Sequence, residues 1–390
     1  MKRWPTFPLG KVCDINPRLF SSEIPHPDAE VTFVPMVAID EVSATIIHPE
    51  IRHYAEVNKG YTPFRENDVL FAKITPCMQN GKAAIALNLH GGIGFGSTEF
   101  HVLRPFSSLL PQWVLAYIRQ PSFRLAAEAS FTGSAGQQRV PADFLKNIPI
   151  PVPPLPEQER IVKLLDEADA MRKLRAEADR RTADLIPAIF QEMFGDVGRC
   201  HQNAIIEDVV THFIDYRGKT PKKSSCGVPL VTAKIVKDGH ILPAAEFIPE
   251  EDYESWMRRG LPEVGDILFT TEAPLGEVAI VGESRIALAQ RILLMRPRKD
   301  LLDSLFFMNV LKVPFVWKQI EKRATCSTVR GIRQAELRKI RIPIPPLSLQ
   351  KEFAKRVTNI QEMEYDQAIC RQRMDALFQS MLYRAFNGEI

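Results

Sequence analysis

Leu145-Lys146-Asn147-Ile148-Pro149-Ile150-Pro151-Val152-Pro153-Pro154-Leu155-Pro156-Glu157-Gln158 is answered 192 residues later by Leu337-Arg338-Lys339-Ile340-Arg341-Ile342-Pro343-Ile344-Pro345-Pro346-Leu347-Ser348-Leu349-Gln350, with eight identities in fourteen positions. Proline has no backbone N–H and pushes its predecessor into extended geometry, so neither run forms a helix or a central strand. Both are stiff connectors. The register continues outward from them: Arg104-Pro105 meets Arg296-Pro297, Phe123 meets Phe315, Met171 meets Met363, Leu185 meets Leu377 and Phe194 meets Phe386. Upstream the offset grows in steps of three, as loop insertions would make it. Ala84-Ile85 meets Ala279-Ile280 at 195, and Asp68-Val69-Leu70-Phe71 meets Asp266-Ile267-Leu268-Phe269 at 198, with Pro76 on Pro274. The chain is two copies of a unit near 192 residues, too long for a solenoid repeat. Each copy is a domain plus an appendage.

Upstream of each proline run lie apolar runs of strand length. These are Val69–Ile74, Ala83–Leu87 and Phe100–Leu103, with counterparts Ile267–Thr271, Val278–Val281 and Ile292–Met295. Trp113–Gln120 and Leu305–Val310 read as helices, so each upstream part is a mixed α+β globule. Downstream the period turns helical. Ile161, Leu165, Ala168, Met171, Ala178, Thr182, Leu185 and Ile189 form one stripe, and Phe353, Val357, Ile360, Met363, Cys370, Met374, Leu377 and Met381 form the other. An apolar stripe on a charged helix needs a partner, and each helix is the obvious partner of the other, as an antiparallel coiled coil. Pro187 is expected to kink the first near its end. The expected layout is a globule at 1–152, a spacer helix at 153–198, a second globule at 199–345 and a spacer helix at 346–390. An internal pseudo-two-fold would relate the halves.

Apolar residues at 45% and charged residues at 25% exclude disordered and fibrous chains. No run of eighteen apolar residues suggests a membrane span, and the start Met1-Lys2-Arg3-Trp4-Pro5 lacks a signal-peptide core. Six cysteines, none in C-x-x-C spacing, read as reduced thiols in a cytoplasmic protein. Positive charge concentrates in 199–345, where twenty-three Lys and Arg face eighteen Asp and Glu. Phe315–Arg341 holds Lys318, Lys322, Arg323, Arg330, Arg333, Arg338, Lys339 and Arg341 against Glu321 and Glu336, a pattern suited to a phosphate backbone.

Catalytic motifs are missing. Gly91-Gly92-Ile93-Gly94-Phe95-Gly96-Ser97-Thr98 imitates a phosphate loop, but Ser97 stands at the lysine position, so it reads as a turn or bulge. There is no H-E-x-x-H among the eight histidines. Neither diproline has the flanking residues of an amino-methyltransferase loop. Loops between strands remain as carriers of polar side chains to base edges. In the first copy they are Lys73–Lys82, with Lys73, Thr75, Gln79, Asn80 and Lys82, and Thr132–Arg139, with Ser134, Gln137, Gln138 and Arg139. In the second they are Thr270–Glu277, with Thr271 and Glu272, and Thr325–Gln334, with Ser327, Thr328, Arg330, Arg333 and Gln334. Arg217, Lys219, Lys222 and Lys223 form a further basic candidate.

Pro153-Pro154-Leu155-Pro156-Glu157-Gln158-Glu159-Arg160-Ile161 resembles the central region of the DNA-specificity subunits of type I restriction-modification enzymes. Phe190-Gln191-Glu192-Met193-Phe194-Gly195-Asp196 and the C-terminal Leu377–Ile390 fit the same family. Thr132-Gly133-Ser134-Ala135-Gly136-Gln137 looks like its loop late in the first target-recognition domain. The second copy departs from the pattern, with Thr325-Cys326-Ser327-Thr328 in that loop and no Pro-Glu pair after Pro346. The resemblance covers essentially the whole chain.

It implies two target-recognition domains separated by the spacer helices, in a noncatalytic subunit without a cofactor of its own. Double-stranded DNA would be bound as a bipartite, asymmetric target. Two methyltransferase subunits using S-adenosylmethionine, and two restriction subunits using ATP and Mg, would be the partners. The helix ends, with Ile189, Phe190, Met193, Phe194, Met381, Leu382 and Phe386, are the expected docking surface for the methyltransferase. Two other readings stay open: a specificity subunit of a methylation-only or related defence system, and a duplicated protein-binding scaffold that touches no DNA.

Overall fold

The structure, a computed structural model, describes residues 4–134, 136–195, 202–216, 220–283, 285–325 and 329–390. It divides into two units whose limits fall inside the long helices. Unit 1 is Met1–Ala178 with Gln367–Ile390, and unit 2 is Asp179–Asp366. Each unit therefore owns one globule and one stretch of each helix.

In unit 1 a four-stranded antiparallel sheet runs in the order Cys13–Ile15, Phe100–Pro105, Val69–Ala72, Ala83–Ile85. All four residues of Val69–Ala72 are buried, because both faces of the sheet are covered. Val69 and Phe71 face a core with Trp113, Phe123 and the helix residues Ile161 and Leu165. Leu70, pointing the other way, packs with Val34, Phe64 and Phe100. A second sheet, Glu50–His53, Glu30–Val34, Ile93–Gly96, Thr62–Arg65, completes the globule, with Glu30–Val34 and Ile93–Gly96 parallel. The glycine-rich stretch supplies this strand. A Cβ on Gly94 would overlap the ring of Phe64, so here glycine permits close packing.

Unit 2 repeats the plan. Its main sheet runs Val210–Asp215, Ile292–Pro297, Ile267–Thr271, Leu275–Ile280, with Ile267 and Phe269 on one core and Leu268 on the other. The proline runs do more than connect. Pro149–Pro151 pairs with Thr6–Pro8, and Arg341–Pro343 with Asn203–Ile205, as short two-stranded ladders. Such edge positions tolerate a missing N–H.

Two polar devices recur with the same kinds of partner. Gln158 is fully buried; its Oε1 accepts from Leu110 N (2.9 Å) and its Nε2 donates to Ser108 O (2.9 Å) and Pro153 O (2.7 Å). Gln350 accepts from Asp303 N (2.9 Å) and donates to Leu301 O (3.0 Å) and Pro345 O (2.8 Å). Each amide ties the start of a long helix to its own globule. Asp68 and Asp266, each 1% exposed, are gripped by Arg104 and Arg296 through paired bonds of 2.6 to 2.9 Å.

The long helices span Leu155–Ala183 and Leu347–Phe386, with Leu185–Phe194 following the first. The break at Asp184 lies three residues before Pro187, which cannot donate to Ala183 O. Their buried faces depart from the expected stripes. Phe378 and Leu382 are buried where Leu377 is 58% exposed, and Met171 and Met363 are exposed as well. Burial withdraws Phe190, Phe194, Leu382 and Phe386 from the docking surface expected at the helix ends. Phe190 and Phe194 sit in the unit 2 core against Phe306 and Phe353, with Ile189 and Met193 packed beside them. Leu382 and Phe386 sit in the unit 1 core, Phe386 against Trp113 at 4.3 Å, with Met381 at its margin. The helix ends outrun any one seam because each also closes a globule.

Candidate nucleic-acid interface

In unit 1 the two candidate loops are laced into one surface. Lys73 N donates to Glu99 O (2.9 Å), Val140 N to Lys73 O (3.0 Å) and Thr75 N to Gln138 O (3.0 Å). Thr132 and Arg139 close the second loop with reciprocal backbone bonds of 3.0 and 2.9 Å. Unit 2 rebuilds the frame: Thr271 N donates to Arg291 O (2.8 Å), Ile332 N to Thr271 O (2.9 Å) and Thr325 N to Gly331 O (2.8 Å). Loops separated by some sixty residues thus converge in both units, which the sequence alone does not disclose.

The side chains on the frame divide into free and occupied. Asn80, Ser134 and Gln137 are exposed; Lys73 and Gln138 are half-buried. Gln79 is exposed but accepts from Thr75 Oγ1 (2.6 Å) and donates to Glu128 Oε1 (2.5 Å). Two expected contacts are corrected by burial. Lys82 turns inward, donating to Ile39 O (2.9 Å) and Met36 O (3.4 Å) near Glu41, so its charge serves the fold. Thr271 is 4% exposed and presents nothing to a ligand. Arg139 forks onto Glu99 at 2.7 and 2.9 Å, and that pairing holds the Glu99 carboxyl below its ordinary range.

In unit 2, Lys222 and Arg333 are exposed, Lys223 pairs with Glu246 (2.8 Å), and exposed Arg330 lies 3.6 Å from Glu321. The amide of Gln334 bridges Asp215 and Arg338. Arg217, Lys219, Ser327 and Thr328 lie outside the described residues. Within Phe315–Arg341, Arg323 and Lys339 share Glu336, while Arg338 meets Glu207 and covers the Phe213 ring. Lys318 and Lys322 are exposed, with no ion pair among the described residues.

The loop reading missed a cleft of about 440 Å³ in unit 2, beside the Ala273 turn and lined by Lys223, Lys234, Gln290 and Arg291. The duplication held the signal: the 192-residue register sets Arg291 opposite Glu99, a reversal of charge at one backbone position. Beneath the unit 1 frame, His101 is 4% exposed, and its Nε2 donates to Val140 O (2.8 Å). The Nδ1 then accepts from Asn16 Nδ2 (2.9 Å), and desolvation holds the imidazole pKa below its ordinary value. Among the described residues, no group of three or more His, Cys, Asp or Glu is placed to hold a metal. No described helix is long and apolar enough to cross a membrane.

The family model for the type I restriction modification DNA specificity domain matches residues 1–180 and again 217–368. The chain is 45% identical over 160 residues to the type I restriction enzyme EcoEI specificity subunit of Escherichia coli. That alignment covers 41% of this chain and 26% of the relative, about a quarter of its length. Against the EcoKI specificity subunit of Escherichia coli strain K12 the identity is 25% over 327 residues, covering 74% of this chain and 68% of the relative. A solved structure described under complex assembly and conformational transition of the type I R-M system aligns with 99% of this chain and 98% of its own. Its TM-score is 0.66 at 22% identity, a likeness of fold.

Proposed function

The chain belongs to the family of type I restriction modification DNA specificity domains, and from that premise we propose that it is a noncatalytic subunit reading a bipartite, asymmetric DNA target. One observation carries the reading. Both units converge two loops on the same hydrogen-bonded frame, yet the side chains offered there differ between the units. A common frame with different donors and acceptors suits two unlike half-sites. Asn80, Ser134 and Gln137 serve the first half-site, with Lys222, Arg330 and Arg333 at the second. Lys318 and Lys322 supply phosphate contacts.

On this reading the subunit positions two adenine methyltransferase subunits using S-adenosylmethionine, and two restriction subunits using ATP and Mg. The chain works in the cytoplasm, where its target lies.

Selection of bound sequences from a pool of randomised duplexes, with methyladenine mapped in cells with and without the gene, tests the proposal. A split, asymmetric motif is expected from both. One continuous motif, one perfect palindrome, or no selection rejects the reading. Mass measurement of the complex reconstituted with methyltransferase is expected to give two copies per chain, and saturation at one copy rejects that stoichiometry.

A further inference from the structure

Resting on the reading of unit 2 as a DNA-binding unit, we propose that Lys234, Gln290 and Arg291 determine its sequence specificity and that Arg291 reads a guanine. The backbone hydrogen bonds that frame the cleft recur in unit 1. Ala289 N donates to Val231 O (2.9 Å) as Ser97 N donates to Val34 O (3.3 Å). Thr271 N donates to Arg291 O (2.8 Å) as Lys73 N donates to Glu99 O (2.9 Å). The parallel pairs Val231 with Leu288 and Val34 with Gly96 hold the same register. Lys234 therefore stands where unit 1 has Val37, Gln290 where it has Thr98, and Arg291 where it has Glu99.

The side chains at these positions do opposite things. Glu99 is occupied by the fork of Arg139, and Val37 is an exposed apolar group. Arg291 is exposed, with its nearest carboxylate, Glu272, at 3.7 Å, beyond hydrogen-bond reach. Lys234 is exposed and has no ion pair or hydrogen-bond partner for its ammonium among the described residues. Gln290 spends its Nε2 on Thr220 Oγ1 (2.9 Å), and among the described residues no bond occupies its Oε1. Alanines at 233, 245, 273 and 289 line the cleft and leave room between these polar groups.

The backbone marks the same place. Ala273 and Arg291 both adopt left-handed φ, 50° and 69°, whereas Thr75 and Glu99 at the equivalent positions do not. A side chain is held in that region only where its surroundings over-determine it, and such residues gather at ligand sites. An arginine fork aimed outward matches the paired acceptors O6 and N7 of guanine, which no other base presents.

The test is selection by the full chain from randomised duplexes, comparing wild type with R291A, R291K, Q290L and K234A. Arg291→Ala is expected to erase a guanine preference of about ten- to a hundredfold at one position of one half-site. The other half-site should be unchanged, and Arg291→Lys should keep part of the preference. Gln290→Leu and Lys234→Ala should relax preferences within the same half-site. Unfolding midpoints equal to wild type would establish that the variants are folded; K234A, at an exposed side chain, remains informative if R291A is not. A uniform loss of affinity across all sequences would mark phosphate contacts and overturn the assignment. Unaltered selection by all the variants overturns it as well. A wild-type chain that enriches nothing would instead overturn the DNA reading from which this inference starts.

Discussion

Unit 1 and unit 2 share their buried polar anchors and differ at the loop frame and in one buried residue beneath it. Gln158 and Gln350 satisfy the same three kinds of backbone group, and Asp68 with Arg104 repeats as Asp266 with Arg296. At the frame, Glu99 held by Arg139 gives way to exposed Arg291, 3.7 Å from Glu272, and buried His101 gives way to buried Leu293. A buried polar group left unpaired is expensive, so a duplicated fold keeps such partners together. An exposed loop side chain bears little of that cost and is free to vary with its ligand.

If the buried pairs are equivalent, removing the cation from either should do equal harm. Arg104→Ala and Arg296→Ala each strand a buried carboxylate, and each should destabilise its own unit by about 3–5 kcal/mol. Hydrogen exchange, which reports the units separately, checks this. A large loss in one unit and none in the other would break the equivalence.

The glutamines should follow at a smaller scale. Gln158→Ala and Gln350→Ala leave buried N–H and C=O groups unpaired, at about 1–3 kcal/mol for each such group. Early exchange at Leu110 and Asp303, whose N–H groups are the ones released, would locate the damage.

Titration separates the units where their cores differ. The His101 pKa lies below its ordinary value of 6.5, so the unfolded chain binds a proton that the folded unit refuses. Stability from this site is present above that ordinary value and is lost as pH falls through the lower folded pKa. Unit 1 should weaken on acidification through that window, and the slope should be smaller in His101→Gln. Leu293 makes no such contribution to unit 2. Equal acid sensitivity of wild type and His101→Gln would remove His101 as the cause.

The smallest effect concerns phosphate contacts. Substituting Lys318 and Lys322 by Ala should lower the salt slope of duplex binding by up to about two units while leaving the selected sequence alone. A changed sequence preference would move these lysines from the backbone to the bases.

The duplication, the main strands and the long helices were legible in the chain, because apolar periodicity and proline chemistry act over a few residues. Val69–Ala72, Ile267–Thr271 and Phe100–Pro105 fall within or around the runs read for them. The candidate loops were legible as places, but the use of each side chain was not. Lys82 looked free until the carbonyls of Met36 and Ile39 stood beside it, and Thr271 until its neighbours covered it. The helix ends misled for the same reason, since an unused apolar residue and one closing a globule have the same spacing. Local patterning determined which segments would be strand, helix or turn, and that there would be two of everything. Only the tertiary structure decided which polar groups were spent inside and which were left for a ligand, because burial and partnership arise between residues far apart in the chain.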